Sequence, residues 1–283
     1  MIVDAAAAGY ALFTWWFSTG VILLLDNLPR RTFRWSMTAG SAIFAVSLWR
    51  LAGSAHDTSL AGAYAAFTYA VLAWGWQEMS FFMGFVTGPR RTGCRPHATL
   101  GERFRDGVAA CLYHELAILL TAAVIVASTW DQPNQTGTWT FLLLWGARQS
   151  AKLNVFLGVR NLGERFVPAH LQYLCTYMDR KPMNKLLPVS VTGGTILTVA
   201  LALHAGQPGV GAAEAACYTM LVTMLALAVL EHWMLVLPLP FERLWGWALT
   251  LRHPILAARG GLDRRSNGTT SRGAAHELRI LLP

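Results

Sequence analysis

Eight side chains lie inside apolar stretches of this chain where their chemistry is out of place: Glu78, His114, Glu115, Arg148, Lys152, Asn154, Glu231 and His232. An ionised group midway along a membrane helix is costly, so such groups turn toward a bundle interior and pair. Three carboxyls face two cations here, with two imidazoles beside them. Arg148 and Lys152 are four residues apart and share one helix face. Three chemistries suit these residue types. One is an internal salt-bridge network that fixes which helices pack together. A second is a carboxylate–histidine metal site drawn from Glu78, His114, Glu115, Glu231 and His232. The third is axial ligation of a tetrapyrrole metal by a neutral imidazole, His114 or His232. The metal site is the weaker pattern. Adjacent His and Glu residues diverge by about 100° around a helix, and the Glu-x-x-His spacing of di-iron bundles is absent. A proton path would need a ladder of ionisable groups, and the other half of the bundle offers nothing comparable to this layer except Arg50, near a helix end.

The elements that must hold these groups are seven apolar stretches, near 7–25, 36–53, 60–88, 108–129, 138–159, 187–205 and 212–237. They predict an all-α fold: a polytopic membrane bundle of seven transmembrane helices. Twenty of the 23 Lys and Arg residues fall in segments 26–35, 89–107, 160–186 and 238–283. The N-terminus and segments 54–59, 130–137 and 206–211 have none. Short loops rich in Lys and Arg stay cytoplasmic during insertion, which places the N-terminus outside and the C-terminus inside. The polar residues then stand roughly 9–15 Å above the cytoplasmic boundary, from the rise of about 1.5 Å per residue. Side chains from four helices share one layer.

Composition agrees. Hydrophobic residues make up 54% and charged residues 13% of the chain, little charge for a soluble domain. Of the twelve tryptophans, Trp35, Trp49, Trp130, Trp139 and Trp245 fall near span ends, as an interfacial aromatic belt requires. A net charge of +8 raises the question of nucleic acid. Its one-sided distribution points instead to anionic headgroups of the lipid bilayer, and no nucleic-acid partner is expected. The first fifteen residues carry Asp4 and no basic residue, so the first span reads as a retained anchor rather than a cleaved signal. Cys94, Cys111, Cys175 and Cys217 show no paired spacing, so neither a disulfide framework nor a zinc motif is expected. The sequon-like Asn134-Gln135-Thr136 and Asn267-Gly268-Thr269 read as chance matches.

Three regions follow. Residues 1–237 form the transmembrane domain. Pro238 and Pro240 stop the last span, and 238–258 is expected to hold an amphipathic interfacial helix centred on FERLWGWALTLR at 241–252. Residues 259–283 are expected to be a flexible cytoplasmic tail, rich in Gly, Ser, Thr and Arg. Within 160–186, Pro168 opens an apolar stripe of Leu171, Leu174, Cys175 and Met178, which predicts a helix lying on the membrane surface.

No Gly-rich phosphate loop and no G-x-S-x-G elbow is present. Longer motifs are FSTG at 17–20, LPRRTFRWS at 28–36, WGWQEMSF at 74–81, TGPRR at 87–91 and YHELA at 113–117. They continue with SAKLNVFLGVRNL at 150–162, PAHLQYL at 168–174 and EHWMLVLPLP at 231–240. With these motifs, from about Trp15 to Trp247, the chain resembles the PuhE family of photosynthetic complex assembly proteins of purple phototrophic bacteria. The resemblance implies a multi-pass inner-membrane protein with a role in forming the reaction centre and its core antenna, whose subunits would be its partners. It also implies a part in modulating the supply of bacteriochlorophyll, which makes this pigment or a precursor a candidate ligand; the residues themselves leave the cofactor open. It carries no catalytic residues. The polar layer is then the expected pigment-binding set, and an assembly factor is expected rather than an enzyme. The alternatives are a membrane enzyme that uses a metal on a tetrapyrrole or isoprenoid, and a scaffold that binds no pigment.

Overall fold

The computed structural model describes residues 5–250, which are helical throughout apart from their connections. Seven long helices stand where the seven apolar stretches were expected: α1 (Ala5–Asp26), α2 (Arg30–Ser54), α3 (Leu60–Phe82), α4 (Leu100–Ser128), α5 (Thr136–Leu157), α6 (Leu186–Ala205) and α7 (Ala212–Met234). No strand occurs among the described residues; a single isolated bridge joins Val159 and Arg180. The expected tail 259–283 and the second sequon-like site lie outside the described residues.

Four helices, α1, α4, α6 and α7, are long and apolar enough to cross a membrane. The other three are more polar for visible reasons. α2 begins with Arg30, Arg31 and Arg34, α5 carries Arg148 and Lys152, and α3 is rich in Ala, Gly, Tyr and Trp. α3 is central and packs on α1, α2, α4, α5 and α7. Its small residues, Ala63, Ala66, Ala70 and Ala73, are buried and let neighbouring backbones approach. α6 shows the opposite logic. Leu187 is its one buried residue, while Val189, Ile196, Val199 and Leu203 face outward. Hydrocarbon suits such an apolar outer face, because in water it would be an exposed sticky patch.

Helix ends depart from the apolar stretches by several residues. α3 stops at Phe82 because Gly84 adopts φ 81°, although the sequence stays apolar to Val86. α4 starts at Leu100, well before the apolar run at 108. A capping box starts it: the Thr99 side chain accepts from the Glu102 backbone N–H, and Glu102 reaches back to Thr99. The expected surface helix at 168–178 is a 3-10 helix, Ala169–Tyr177, that buries Leu171 and Tyr177. Region 241–250 is a 3-10 turn, Phe241–Trp245, followed by the short α8 (Gly246–Thr250). Trp245 and Ala248 are buried with Leu23, against Trp15 and Trp16 of α1, while Leu244 and Trp247 are exposed.

The basic connections meet at one end of the bundle. Arg90 donates to the Tyr177 hydroxyl (2.7 Å), and Thr176 accepts from the Cys94 backbone (2.7 Å). The Asn161 side chain donates to the carbonyls of Met234 (2.8 Å) and Leu237 (2.6 Å). At the opposite end Asn134 is 8% exposed and donates to the carbonyls of Ser54 and Asp57 (3.0 Å each). The first sequon-like Asn is thus a structural clamp.

Candidate functional site

A cavity of about 820 Å³ opens between α1, α3, α4, α5 and α7, closed on one side by the 160–178 segment and Trp245. Five of the eight polar residues line it: Glu78, Glu115, Arg148, Lys152 and Glu231. Each is held by a partner from another helix. The Arg148 guanidinium on α5 pairs with Glu78 of α3 (3.1 Å). Lys152 pairs with Glu115 of α4, which also accepts from the Gln149 amide (2.6 Å). Glu231 of α7 accepts from the indole N–H of Trp15 on α1 (2.9 Å). Helix spacing explains the division of labour. Arg148 and Lys152 are one turn apart on α5 and reach two carboxylates on different neighbours.

The other three residues stand off the cavity. His232 is fully engaged: Nδ1 donates to the Ala228 carbonyl (2.7 Å), and Nε2 lies 2.8 Å from the Ser150 hydroxyl. Asn154 donates to the Ser150 carbonyl (2.9 Å) and the Ser190 hydroxyl (3.0 Å), and its own carbonyl accepts from Asn184 (2.9 Å). These bonds tie α5, α6 and α7 together. His114 is fully buried, and neither ring nitrogen has a hydrogen-bond partner among the described residues. Its ring packs on Phe81 at 4.5 Å, and Phe81 itself lines the cavity. The divergence of about 100° between neighbours separates each pair: Glu115 and Glu231 face the cavity, His114 and His232 do not.

The segment after α3 fixes the register of α4 here. The His114 backbone N–H donates to the Thr87 carbonyl (2.9 Å). Gly88 sits so close to α4 that a Cβ on it would fall 2.1 Å from the Ala109 carbonyl oxygen. Only glycine fits, which gives the TGPRR motif a structural reason.

Several site groups were not singled out in the sequence. Trp15, Gln149, Ser150 and Ser190 supply hydrogen bonds from long sequence distances, and short-range spacing carries no signal for them. Asp26 is a different case. It ends α1, is 7% exposed, and has no hydrogen-bond partner for either oxygen among the described residues. It falls in segment 26–35, outside the apolar stretches, so the cost of burying charge did not mark it. Unsatisfied atoms also face the ion pairs: Glu78 Oε1 and Arg148 Nε make no bond. Buried polar atoms without partners are few in folded proteins and call for an explanation. Among the described residues no three His, Cys, Asp or Glu side chains converge into a metal-binding group.

An all-helical bundle with several membrane-length apolar helices and ion pairs around an internal cavity defines a membrane-type protein with an amphipathic interior site. The chain belongs to the family described as "Protein of unknown function (DUF3623)", whose model matches residues 1–255. A curated protein of Rhodobacter capsulatus, described as "Uncharacterized 30.4 kDa protein in puhA 5'region", is 39% identical over 245 residues, 84% of this chain and 88% of the relative. No solved structure matches the chain.

Proposed function

We propose that the chain is an integral inner-membrane assembly factor for the photosynthetic reaction centre and core antenna, and that its cavity holds bacteriochlorophyll or a precursor during assembly. The observation that carries the link to photosynthesis is the relative's place in the puhA 5' region; the PuhE-like motifs support it. The cavity supports the binding part. Ligand pockets commonly span roughly 300–1,000 Å³, with apolar walls and a few placed polar groups. Trp74, Phe81, Phe82 and Leu144 offer flat apolar surface to a macrocycle, and the Arg148–Glu78 and Lys152–Glu115 seam suits its polar edge. Neither histidine lines the cavity; His114 packs behind the Phe81 ring, and its one bare nitrogen would meet a bound pigment only with that ring turned aside. When bound, a magnesium tetrapyrrole supplies a metal that an imidazole can ligate.

His114→Leu tests this reading. The imidazole makes no hydrogen bond, so an apolar side chain of similar size removes two unsatisfied atoms and adds none. The amount of protein in the membrane is expected to stay within about twofold or rise, by that asymmetry. Reaction-centre accumulation, read from the near-infrared absorption of membranes, is expected to fall. Normal accumulation with normal abundance would remove His114 from the function.

The topology goes with the same reading: seven spans, N-terminus periplasmic and C-terminus cytoplasmic, from the one-sided placement of Lys and Arg. A reporter active only in the periplasm is expected to work when fused within 54–59, 130–137 or 206–211. It is expected to fail within 89–107 or after residue 259. Activity at the last position would overturn the orientation.

A further inference from the structure

A second cavity, of about 610 Å³, lies at the basic end of the bundle and shares almost nothing with the first. We propose that it binds a phosphate group carried on an apolar chain, with the headgroup of an anionic membrane phospholipid as the first source. Four arginines ring it: Arg30, Arg31 and Arg34 from the start of α2, and Arg91 from the segment after α3. Many of the other basic residues at this end are neutralised. Asp106 takes Arg90 and Arg95, Asp179 takes Arg103 and Lys181, and Glu164 takes Arg180. No ion pair to Arg30, Arg31, Arg34 or Arg91 forms among the described residues. Three of the four are crowded into the first turns of α2, where the helix dipole already presents positive charge. No side chain caps that helix among the described residues; the Thr32 N–H is taken by the Pro29 carbonyl, which leaves those of Arg30 and Arg31 for an acceptor. A bound anion resolves all three oddities at once, and helix N-termini are recurrent phosphate sites.

An independent observation points the same way. Thr87 is 2% exposed and lines the cavity, and its hydroxyl has no hydrogen-bond partner among the described residues. Tyr173 and His170 are also among its lining residues, and the Tyr173 hydroxyl has no hydrogen-bond partner among the described residues. Tyr173 lies toward Thr87, yet no bond closes at hydrogen-bond distance. Burial pushes the Tyr173 phenol up, so it stays a donor at neutral pH. Two hydroxyl donors, on Thr87 and Tyr173, therefore stand beside a space surrounded by four unneutralised guanidiniums. The floor is apolar: Phe33, Met83 and Leu171 are buried there, and Phe85 is half-exposed on the rim. The volume far exceeds that of a phosphate ion, leaving room for what the phosphate is attached to. Guanidinium forks match phosphate oxygens in pairs, and basic pockets between membrane helices on the cytoplasmic side take anionic headgroups. This inference does not depend on the pigment reading of the larger cavity.

The test uses the full chain, purified in mild detergent and reconstituted in nanodiscs of phosphatidylcholine with a minor share of phosphatidylglycerol. Native mass spectrometry counts the phosphatidylglycerol retained. Compared are wild type, Arg31→Gln/Arg34→Gln/Arg91→Gln, Thr87→Val, and Lys185→Gln as a charge control outside the cavity. Thr87→Val keeps shape and breaks no bond the fold uses, so its abundance is expected to be normal. Retention is expected to fall about tenfold in the triple variant and severalfold in Thr87→Val, since bonds to charged groups are the strong ones, and to stay normal in Lys185→Gln. A parallel titration with inorganic phosphate and with diphosphate, read by calorimetry, separates the sources. Binding of diphosphate with the same dependence on Thr87 and the arginines, without lipid retention, would support the phosphate site and assign it to a soluble phosphate compound. Retention equal in all four proteins, with no phosphate or diphosphate binding, would overturn the proposal.

Discussion

Replacing Arg148 by leucine is expected to lower the amount of protein in the membrane at least fivefold. Arg148 is the one cation paired with Glu78, whose side chain is 12% exposed. Removing one partner of a buried pair leaves an uncompensated charge, and that costs about 3–5 kcal/mol. The surroundings make this site worse than an isolated pair. Glu231 lies within the electrostatic reach of both Arg148 and Glu78, and Asp26 lies within that of Glu78. Two carboxyls, from α3 and α7, thus share a single guanidinium on α5, with Asp26 of α1 adding its charge next to Glu78. The same change at Lys152 should be milder, because Glu115 keeps its hydrogen bond from Gln149. Membrane abundance by immunoblot checks the order: wild type, then Lys152→Leu, then Arg148→Leu. Adding Glu78→Leu to Arg148→Leu should recover much of the loss, since an apolar pair of similar size is often no less stable than the ion pair it replaces. Equal abundance in wild type and Arg148→Leu would mean that the pair contributes nothing to the fold.

The cost of placing charge in an apolar helix is what made the polar layer legible. That cost is a property of each residue and needs no knowledge of its neighbours, so Glu78, Glu115, Arg148, Lys152 and Glu231 stood out from sequence alone. Which carboxylate meets which cation was not legible. Trp15 and Glu231 are 216 residues apart, and nothing local marks an indole as the donor to a carboxylate. The histidines show the same limit. Depth along the helix could be counted for His114 and His232, and their divergence from the adjacent Glu residues could be stated. Which member of each pair turns inward depends on helix rotation, which packing sets. Helix ends were the weakest part for a related reason. Hydropathy follows composition, whereas α3 ends at a glycine with positive φ in a still-apolar run, and α4 begins at a capping box ahead of one. The Thr99–Glu102 spacing was a readable signal for that start.

Ala151→Trp should separate a binding cavity from a merely structural one. Ala151 lies on α5 between Arg148 and Lys152 and faces the space itself. In a filled core, a large side chain forces strain of roughly 1–3 kcal/mol. Here the indole has about 820 Å³ of cavity to enter, so the ion pairs and helix contacts can stay as they are. Protein abundance is therefore expected to remain within about twofold of wild type, well short of the loss that a full overpacking strain would bring. Any ligand of macrocycle size loses its place. A loss of about 1.4 kcal/mol in binding is already a tenfold loss of affinity, and displacing a ring costs more than that. Reaction-centre accumulation is thus expected to drop at least tenfold, while Ile196→Phe, on the outer face of α6, leaves it unchanged. The two readouts must diverge for the proposal to stand. Full accumulation with the cavity filled would show that the polar seam only fixes how α3, α4, α5 and α7 pack. Loss of protein and of accumulation together would make the space part of the fold's stability, and the ligand reading would lose its main support.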